Sequence, residues 1–190
     1  MEKNTSLGLD ISTSIVGLSF FVNDKFDSIE YVDLRKIKCI FKKAEAFEKK
    51  FKDLNKKFKF HKVYIEDTLQ SFARGLSSAR TLMQLSRFNG IVSNIVFRIT
   101  NIIPDYINVN TARKQLNISI DKNSEKDKKL QVLEWVDKDI GVYNWPTKVI
   151  SRGKNKGRVK YEDFCYDMAD AYVICKSGIE INEQISQGKI

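Results

Sequence analysis

Histidine, proline and cysteine are scarce in this sequence: among 190 residues there are one histidine (His61), two prolines and three cysteines. A single histidine offers little to a catalytic site built on imidazole groups. The cysteines (Cys39, Cys165 and Cys175) show no CxxC spacing, which favours free thiols in a reducing compartment. No apolar run approaches the ~20 residues that span a bilayer, and residues 1–4 lack the core of a signal peptide. We therefore expect a cytoplasmic protein with no membrane partner.

Positive charge is what the sequence has in excess. Lysine and arginine number 33 against 24 aspartates and glutamates, which gives a formal net charge of +9 and a pI of about 9.4. Such a balance favours a polyanionic partner, most simply nucleic acid. The length and the 42% hydrophobic content are typical of one globular domain. We therefore assign residues 1–190 to a single domain.

Residues 6–21 predict two strands joined by a tight turn. Leu7, Leu9 and Ile11 alternate with small or polar residues, the period-2 pattern of a strand with one face in a core. Asp10 is the unusual member of the polar set, since an acid within an apolar strand costs free energy unless it is paired, hydrogen-bonded or bound to a metal. Two interpretations stay open. Asp10 is either a functional carboxylate or a strand-end residue that accepts a hydrogen bond from a turn N–H.

Strands and helices then alternate. We predict a third strand at residues 26–34 and a helix at 42–57, because Phe47, Phe51, Leu54 and Phe58 form one helical stripe. A strand at 62–67 ends in Glu66. Functional groups gather at such strand ends in open α/β sheets, although Glu66 gains interest only together with Asp10.

A predicted loop at residues 68–79 contains Phe72 and Arg74, which suit stacking and phosphate contact with DNA. The alternative for the aromatic ring is a place at the edge of the core. A long helix is predicted from 79 to 100. Gly90 inside it costs about 1 kcal/mol relative to alanine, which indicates a close contact between this helix and the sheet.

The next segment ends in a strongly basic stretch. A strand at 105–109, a short helix at 110–116 and a helix with Ser124 as its N-cap lead to an insertion at about 147–161, predicted to be a hairpin or a flexible loop. It contains six basic residues and no acid between 148 and 160: Lys148, Arg152, Lys154, Lys156, Arg158 and Lys160. Phosphate contact and a disordered surface loop are the two interpretations.

The last predicted helix carries three acids on one stripe, Asp163, Asp167 and Asp170. Like charges at this spacing repel, and a bound cation would relieve the repulsion. Asp163 has a simpler role as a charge near the helix start, whereas small and apolar residues surround the other two. We expect a flexible polar tail at about 178–190.

Taken together, these residues resemble the RuvC-type Holliday junction resolvases of the RNase H-like superfamily, in a divergent and phage-like form. The matching pieces are Gly8-Leu9-Asp10 with Ser12, Ile65-Glu66, Ser77-Ser78-Ala79-Arg80, Thr111-Ala112-Arg113-Lys114 and Asp167-Met168-Ala169-Asp170-Ala171. The resemblance implies an α/β fold, RNase H-like, with a five-stranded mixed sheet, an antiparallel three-strand meander first and helices on both faces.

The same resemblance implies the chemistry. Asp10, Glu66, Asp167 and Asp170 would converge as catalytic residues and as ligands of two Mg²⁺ or Mn²⁺ ions per active site, because hard oxygen ligands favour these ions. The expected activity is hydrolysis of phosphodiester bonds in four-way or other branched DNA, with two symmetric cuts by a homodimer and no organic cofactor. The helix at 79–100 would form the dimer contact.

DNA contacts are expected from a wider set. It comprises Phe72, Arg74, Arg80, Arg113, Lys114, Lys126, Lys128, Arg152, Lys154, Lys156 and Arg158. The family places an aromatic wedge soon after the glutamate, where this chain has Leu69, with Phe72 as the closest aromatic residue. Some relatives have histidine at the position of Asp167.

Two alternatives remain open at this stage. The same four acids would serve an RNase H-like nuclease acting on RNA/DNA hybrids or flaps. Residues 7–14 also look like the first phosphate loop of the ASKHA-type ATP-binding proteins, although those are much longer and no second phosphate loop is present.

Overall fold

Five strands form one mixed sheet in the computed structural model, which describes residues 3–67, 79–141 and 143–188. The strands are β1 (Thr5–Ile11), β2 (Ile15–Val22), β3 (Lys25–Asp33), β4 (Lys62–Glu66) and β5 (Asp105–Ile107). The helices are α1 (Ile40–Phe58), α2 (Ala79–Thr100), α3 (Val109–Gln115), α4 (Lys128–Ile140) and α5 (Phe164–Ser186). A separate hairpin of β6 (Thr147–Val149) and β7 (Val159–Tyr161) precedes α5.

The sheet has the order β3-β2-β1-β4-β5, so β1 lies at its centre. β1 pairs antiparallel with β2 and parallel with β4. The mixed five-stranded sheet with an antiparallel meander first is therefore confirmed. The basic insertion, for which the sequence left a hairpin and a flexible loop open, contains the β6–β7 hairpin.

Two hydrophobic cores cover the two faces of the sheet. Leu7 and Leu9 of β1 and Ile65 of β4 pack with α1 and α2 on one face. Because side chains alternate along a strand, Gly8 and Asp10 point to the opposite face, where α5 lies. The odd-numbered residues of β1 thus lie in a hydrophobic core, and the even-numbered residues lie on the face that carries the candidate site.

Helix α5 is longer than the sequence predicts, because its last turns pack on the sheet. Gly178 lies directly on the ring of Tyr64, where a Cβ would overlap the ring carbons, and Ile179 is buried. Asn182 Nδ2 donates to the Tyr64 hydroxyl at 2.9 Å. The expected flexible tail is therefore wrong for residues 178–186, which are helical.

Two smaller predictions are also wrong. Helix α4 has Asp127 as its N-cap, whose Oδ1 accepts from the Leu130 N–H at 2.8 Å, whereas Ser124 lies before the helix. Gly90 does not touch the sheet: it is exposed on α2 with no atom within 4 Å of an added Cβ. Among the described residues, no helix is long and apolar enough to cross a bilayer.

Candidate active site

Asp10 and Glu66 lie side by side at the same end of two parallel strands. Leu9 pairs with Ile65 in the β1–β4 register, so the two acids come next on each strand. Their side chains lie close enough to interact, and Glu66 contributes to raising the pKa of Asp10. Ser12 closes the turn that follows, since its Oγ accepts from the Ile15 N–H at 2.9 Å and donates to the Ile15 carbonyl at 2.8 Å.

Helix α5 brings the C-terminal acids to this pair by packing on two glycines. A Cβ at Gly8 would overlap the Ala171 carbonyl oxygen, and one at Gly17 would overlap the Asp167 carbonyl oxygen. Gly17 is the register partner of Asp10. The helix therefore lies against the strands beside Asp10, with Asp167 and Asp170 on its near side.

The pKa values of all four acids are raised, above all by burial. Burial, followed by the charges of Glu66, Asp170 and Asp167, raises the pKa of Asp10 well above its ordinary value. Burial also raises the pKa of Glu66 and of Asp170, and it raises the pKa of Asp167 to about 6. Asp170 is only 8% exposed, and the other three keep partial access to solvent.

The four carboxylates are near one another, but they are not arranged as a complete set of metal ligands. Within residues 3–67, 79–141 and 143–188, no group of three or more histidine, cysteine, aspartate or glutamate side chains meets the geometry of a metal site. The donor set is nevertheless all oxygen, as Mg²⁺ and Mn²⁺ prefer. Side-chain rotation would be needed to close it around an ion.

Arg113 of α3 partly compensates the negative charge. Its Nη2 lies 3.4 Å from Asp170 Oδ1, and both side chains are 11% exposed. The Arg113 guanidinium works against burial and lowers the pKa of Asp170 and of Glu66. Its Nε and Nη1 atoms are buried and have no hydrogen-bond partner among the described residues.

A basic groove adjoins Arg113. It has a volume of about 700 Å³, and its lining includes Arg113, Lys114, Lys122, Lys126 and Lys128. Lys126 is ion-paired with Glu134 at 2.7 Å. Four of the residues predicted to contact DNA thus share one concave surface next to the acids.

The remaining predicted DNA contacts lie elsewhere. Arg80 is exposed in the first turn of α2, and Phe72 and Arg74 fall outside the described residues. Arg152, Lys154, Lys156 and Arg158 lie on the β6–β7 hairpin. His61 sits at the opposite end of β4 from Glu66, where its Nδ1 accepts from the Thr5 N–H at 3.2 Å. It is a structural residue.

Two further groups act on the site, and the sequence prediction missed the second. Lys129 acts on Glu66, Asp167 and Asp170 together, lowering the pKa of each. Asn89 of α2 donates from Nδ2 to the Glu66 carbonyl at 3.2 Å, and the Ser93 hydroxyl donates to the Asn89 carbonyl at 2.8 Å. Polar residues four apart within the apolar face of α2 were the available signal for the second.

Comparison with protein-family models found no match, and comparison with curated proteins found none either. Solved structures do match. Thermus thermophilus RuvC in complex with a Holliday junction substrate superposes with a TM-score of 0.64 at 14% identity, covering 98% of this chain and 97% of that one. A second Thermus thermophilus RuvC structure gives 0.60 at 14% identity, with 97% of each chain covered.

The yeast mitochondrial Holliday junction resolvase Ydc2 gives a TM-score of 0.56 at 14% identity, covering 97% of this chain and 81% of that one. These matches span nearly the whole chain and agree with the strand order β3-β2-β1-β4-β5. The predicted resemblance is therefore confirmed at the level of the fold, and this chain has the RuvC-type, RNase H-like fold.

Proposed function

We propose that this chain is a divalent-metal-dependent, structure-selective endonuclease that nicks four-way (Holliday) or other branched DNA by phosphodiester hydrolysis. One observation carries the proposal: four acids from β1, β4 and α5 come together on a fold shared with Holliday junction resolvases. A protein that needed only a stable core would gain nothing from burying four mutually repulsive carboxylates.

The acids suit divalent ions by their chemistry. Asp10, Glu66, Asp167 and Asp170 would hold two Mg²⁺ or Mn²⁺ ions, whose positive charge would favour the ionised carboxylates that burial disfavours. When bound, such ions supply Lewis-acid stabilisation of phosphate charge and lower the pKa of a coordinated water.

The cationic side chains have a separate role in this proposal. Arg113 holds Asp170 through Nη2 and so orients one of the four acids. Lys114 and Lys128 line the groove beside it, where a DNA strand would leave the acids.

We further propose a homodimer through α2, since two symmetric cuts need two sites related by a two-fold axis. The outer face of α2 exposes Met83 (62%) and Phe97 (42%) on either side of Gly90. A Gly90→Arg variant places a charge there without disturbing the monomer core. Analytical ultracentrifugation should show a dimer for the native chain and a monomer for the variant; a native monomer at micromolar concentration would contradict this part of the proposal.

The activity is tested with labelled substrates and Mg²⁺. Paired nicks at symmetric positions of a four-way junction are expected from the native chain. Asp10→Asn should bind the junction and not cut it. An RNA/DNA hybrid and a flap substrate in the same series decide the alternatives: faster cutting of either would replace the junction assignment. Binding of ATP by calorimetry, with no cutting of any substrate, would favour the ASKHA-type alternative.

A further inference from the structure

The six basic residues of the β6–β7 hairpin fall into two groups with different surroundings. Lys148 and Lys160 face each other across the hairpin and bind the acids at the start of α5. Lys148 Nζ lies 2.8 Å from Glu162 Oε2 and 2.9 Å from Asp163 Oδ2, and Lys160 Nζ lies 3.0 Å from Asp163 Oδ1. These two lysines anchor the hairpin to the helix.

The other four basic residues have no such partner. Arg152, Lys154, Lys156 and Arg158 are exposed, and no carboxylate of the described residues lies within ion-pair distance of them. They lie on a tip ordered by backbone hydrogen bonds: the Ile150 N–H donates to the Arg158 carbonyl at 2.9 Å, and the Gly157 N–H donates to the Ile150 carbonyl at 2.9 Å. Gly153 and Gly157 supply the positive φ angles of the tip, +81° and +87°.

The anchor fixes the tip relative to the candidate active site. Asp163 lies four residues, about one helical turn, before Asp167 on the same helix. The base of the hairpin is held as well, because the Glu162 N–H donates to the Pro146 carbonyl at 2.9 Å and Phe164 stacks on Tyr31 with ring centroids 3.9 Å apart. The tip cations therefore project from the same body that carries Asp167 and Asp170.

We propose that the β6–β7 hairpin is a pre-positioned clamp for the phosphates of a duplex DNA arm that leaves the candidate active site. This inference rests on the proposed function, whose substrate is branched DNA. Four cations without neutralising acids attract phosphates independently of base sequence. The paired lysines keep the tip from being drawn back onto α5, because they already occupy the nearest carboxylates.

The first test removes the tip charges. The variant Arg152→Ala, Lys154→Ala, Lys156→Ala, Arg158→Ala is compared with a control that also loses four lysines, at Lys49, Lys52, Lys56 and Lys57 of α1, on the other side of the sheet. Affinity for a labelled four-way junction is measured in EDTA, so that no strand is cut, across a KCl series.

Each lost phosphate contact lowers the slope of log K against log [KCl] by about 0.9. We expect the tip variant to lose about three units of slope and at least about tenfold in affinity at 0.1 M KCl. The α1 control should keep the native slope to within about one unit. Equal losses in both variants would reduce the effect to net charge and overturn the clamp.

The second test loosens the anchor and keeps the tip. The double variant Glu162→Gln, Asp163→Asn removes two negative charges, so it raises the net charge by two. It also leaves Lys148 and Lys160 without their ion-pair partners. Attraction by net charge alone predicts tighter binding, whereas a clamp that depends on its anchor predicts weaker binding. Equal or tighter binding would overturn the pre-positioning. Neither acid caps α5 through its side chain, and circular dichroism melting verifies the fold of every variant.

Failure of the clamp and failure of the proposed function are distinguishable. A tip variant with native affinity, beside a native chain that nicks the junction, would refute the clamp alone. Loss of affinity in the tip variant, beside a native chain that nicks no substrate, would refute the nuclease and leave the clamp. If the tip charges contributed more to the affinity of the native chain for duplex RNA than for duplex DNA, the assignment of DNA as the partner would be overturned.

Discussion

The backbone carbonyl of Asp167 packs against Gly17, in the space that a side chain would occupy. A Cβ at this glycine would overlap that oxygen, and Gly17 is the register partner of Asp10 across β1 and β2. The approach of α5 to the sheet, and with it the placement of Asp167 beside Asp10, therefore depends on a missing side chain. A substitution at Gly17 moves one acid relative to another without changing either.

Gly17→Ala should lower the free energy of unfolding by about 1–3 kcal/mol, because the added methyl group overpacks the contact. It should also slow nicking by the folded protein, because it moves Asp167 relative to Asp10. Ser19→Ala is the matched control on the same strand and face. Its buried hydroxyl has no hydrogen-bond partner within the part of the chain that the structure describes, so its removal should be neutral or stabilising. Urea denaturation and single-turnover cleavage at a temperature where both variants are folded separate the two effects.

The acid cluster should make the metal-free protein less stable as the pH rises. A carboxyl whose pKa is raised by folding binds more protons in the folded state than in the unfolded state, so its contribution to stability falls with rising pH. For Asp167 the contribution is present below about pH 4 and is lost as the pH rises through about 6. Thermal melting of the native chain in EDTA from pH 4.5 to 7.5 measures this trend. Asp53→Asn, which changes an exposed acid on α1 and leaves the cluster intact, is the control and should show the same trend.

Asp10→Asn should therefore raise the Tm of the metal-free protein at pH 7.5 by a few degrees. The substitution removes a carboxyl whose ionised form is disfavoured by burial and by the neighbouring acids. Mg²⁺ should raise the Tm of the native chain at pH 7.5 and do so much less for the variant. A lower Tm for Asp10→Asn in EDTA would show that the carboxylate stabilises the fold by itself.

Arg113→Ala should shift the pH dependence of nicking as well as slow it. The guanidinium lowers the pKa of Asp170 and of Glu66, so its loss should move the acid limb of the pH–rate profile to higher pH. We expect a rate loss on the order of a hundredfold, as for other groups that stabilise developing charge. Arg113→Lys should restore part of the pH shift and less of the rate, because an ammonium lacks the second edge of donors. An unchanged profile with a slower rate would assign Arg113 to structure alone.

One of the three thiols should react readily in the native protein. Cys39 is exposed, whereas Cys165 and Cys175 are buried and free. Burial raises the pKa of Cys165 to about 11 and raises that of Cys175 well above its ordinary value, which suppresses the reactive thiolate. Titration with a thiol reagent at pH 8 should count one thiol in the native protein and three in guanidinium chloride. Fast reaction of two native thiols would contradict the packing of α5.

Local patterns predict the elements of this chain well and their contacts less well. The alternation of Leu7, Leu9 and Ile11 with small or polar residues predicted the strand. The helical spacing of Asp163, Asp167 and Asp170 predicted the helix. Their meeting depends on Gly8 and Gly17, whose role is close packing between elements distant in sequence. No local pattern distinguishes such a glycine from Gly90, which faces open space.

The helix ends show the same limit. The segment after Cys175 is polar enough to predict a frayed tail, yet α5 continues to Ser186 because Gly178 rests on Tyr64. Long-range packing decided the outcome there. The ion pairs of Lys148 and Lys160 were equally hidden, because the pattern of basic residues does not tell an anchor from a free charge.

The central claim is that Asp10, Glu66, Asp167 and Asp170 hold divalent cations in one site. The most direct measurement is the anomalous difference map of a crystal soaked in Mn²⁺ at pH 7.5. The account predicts peaks within about 2–2.3 Å of oxygens from at least three of these four side chains, and their loss in Asp10→Asn. Manganese bound only elsewhere, or no peak at saturating Mn²⁺, would contradict it.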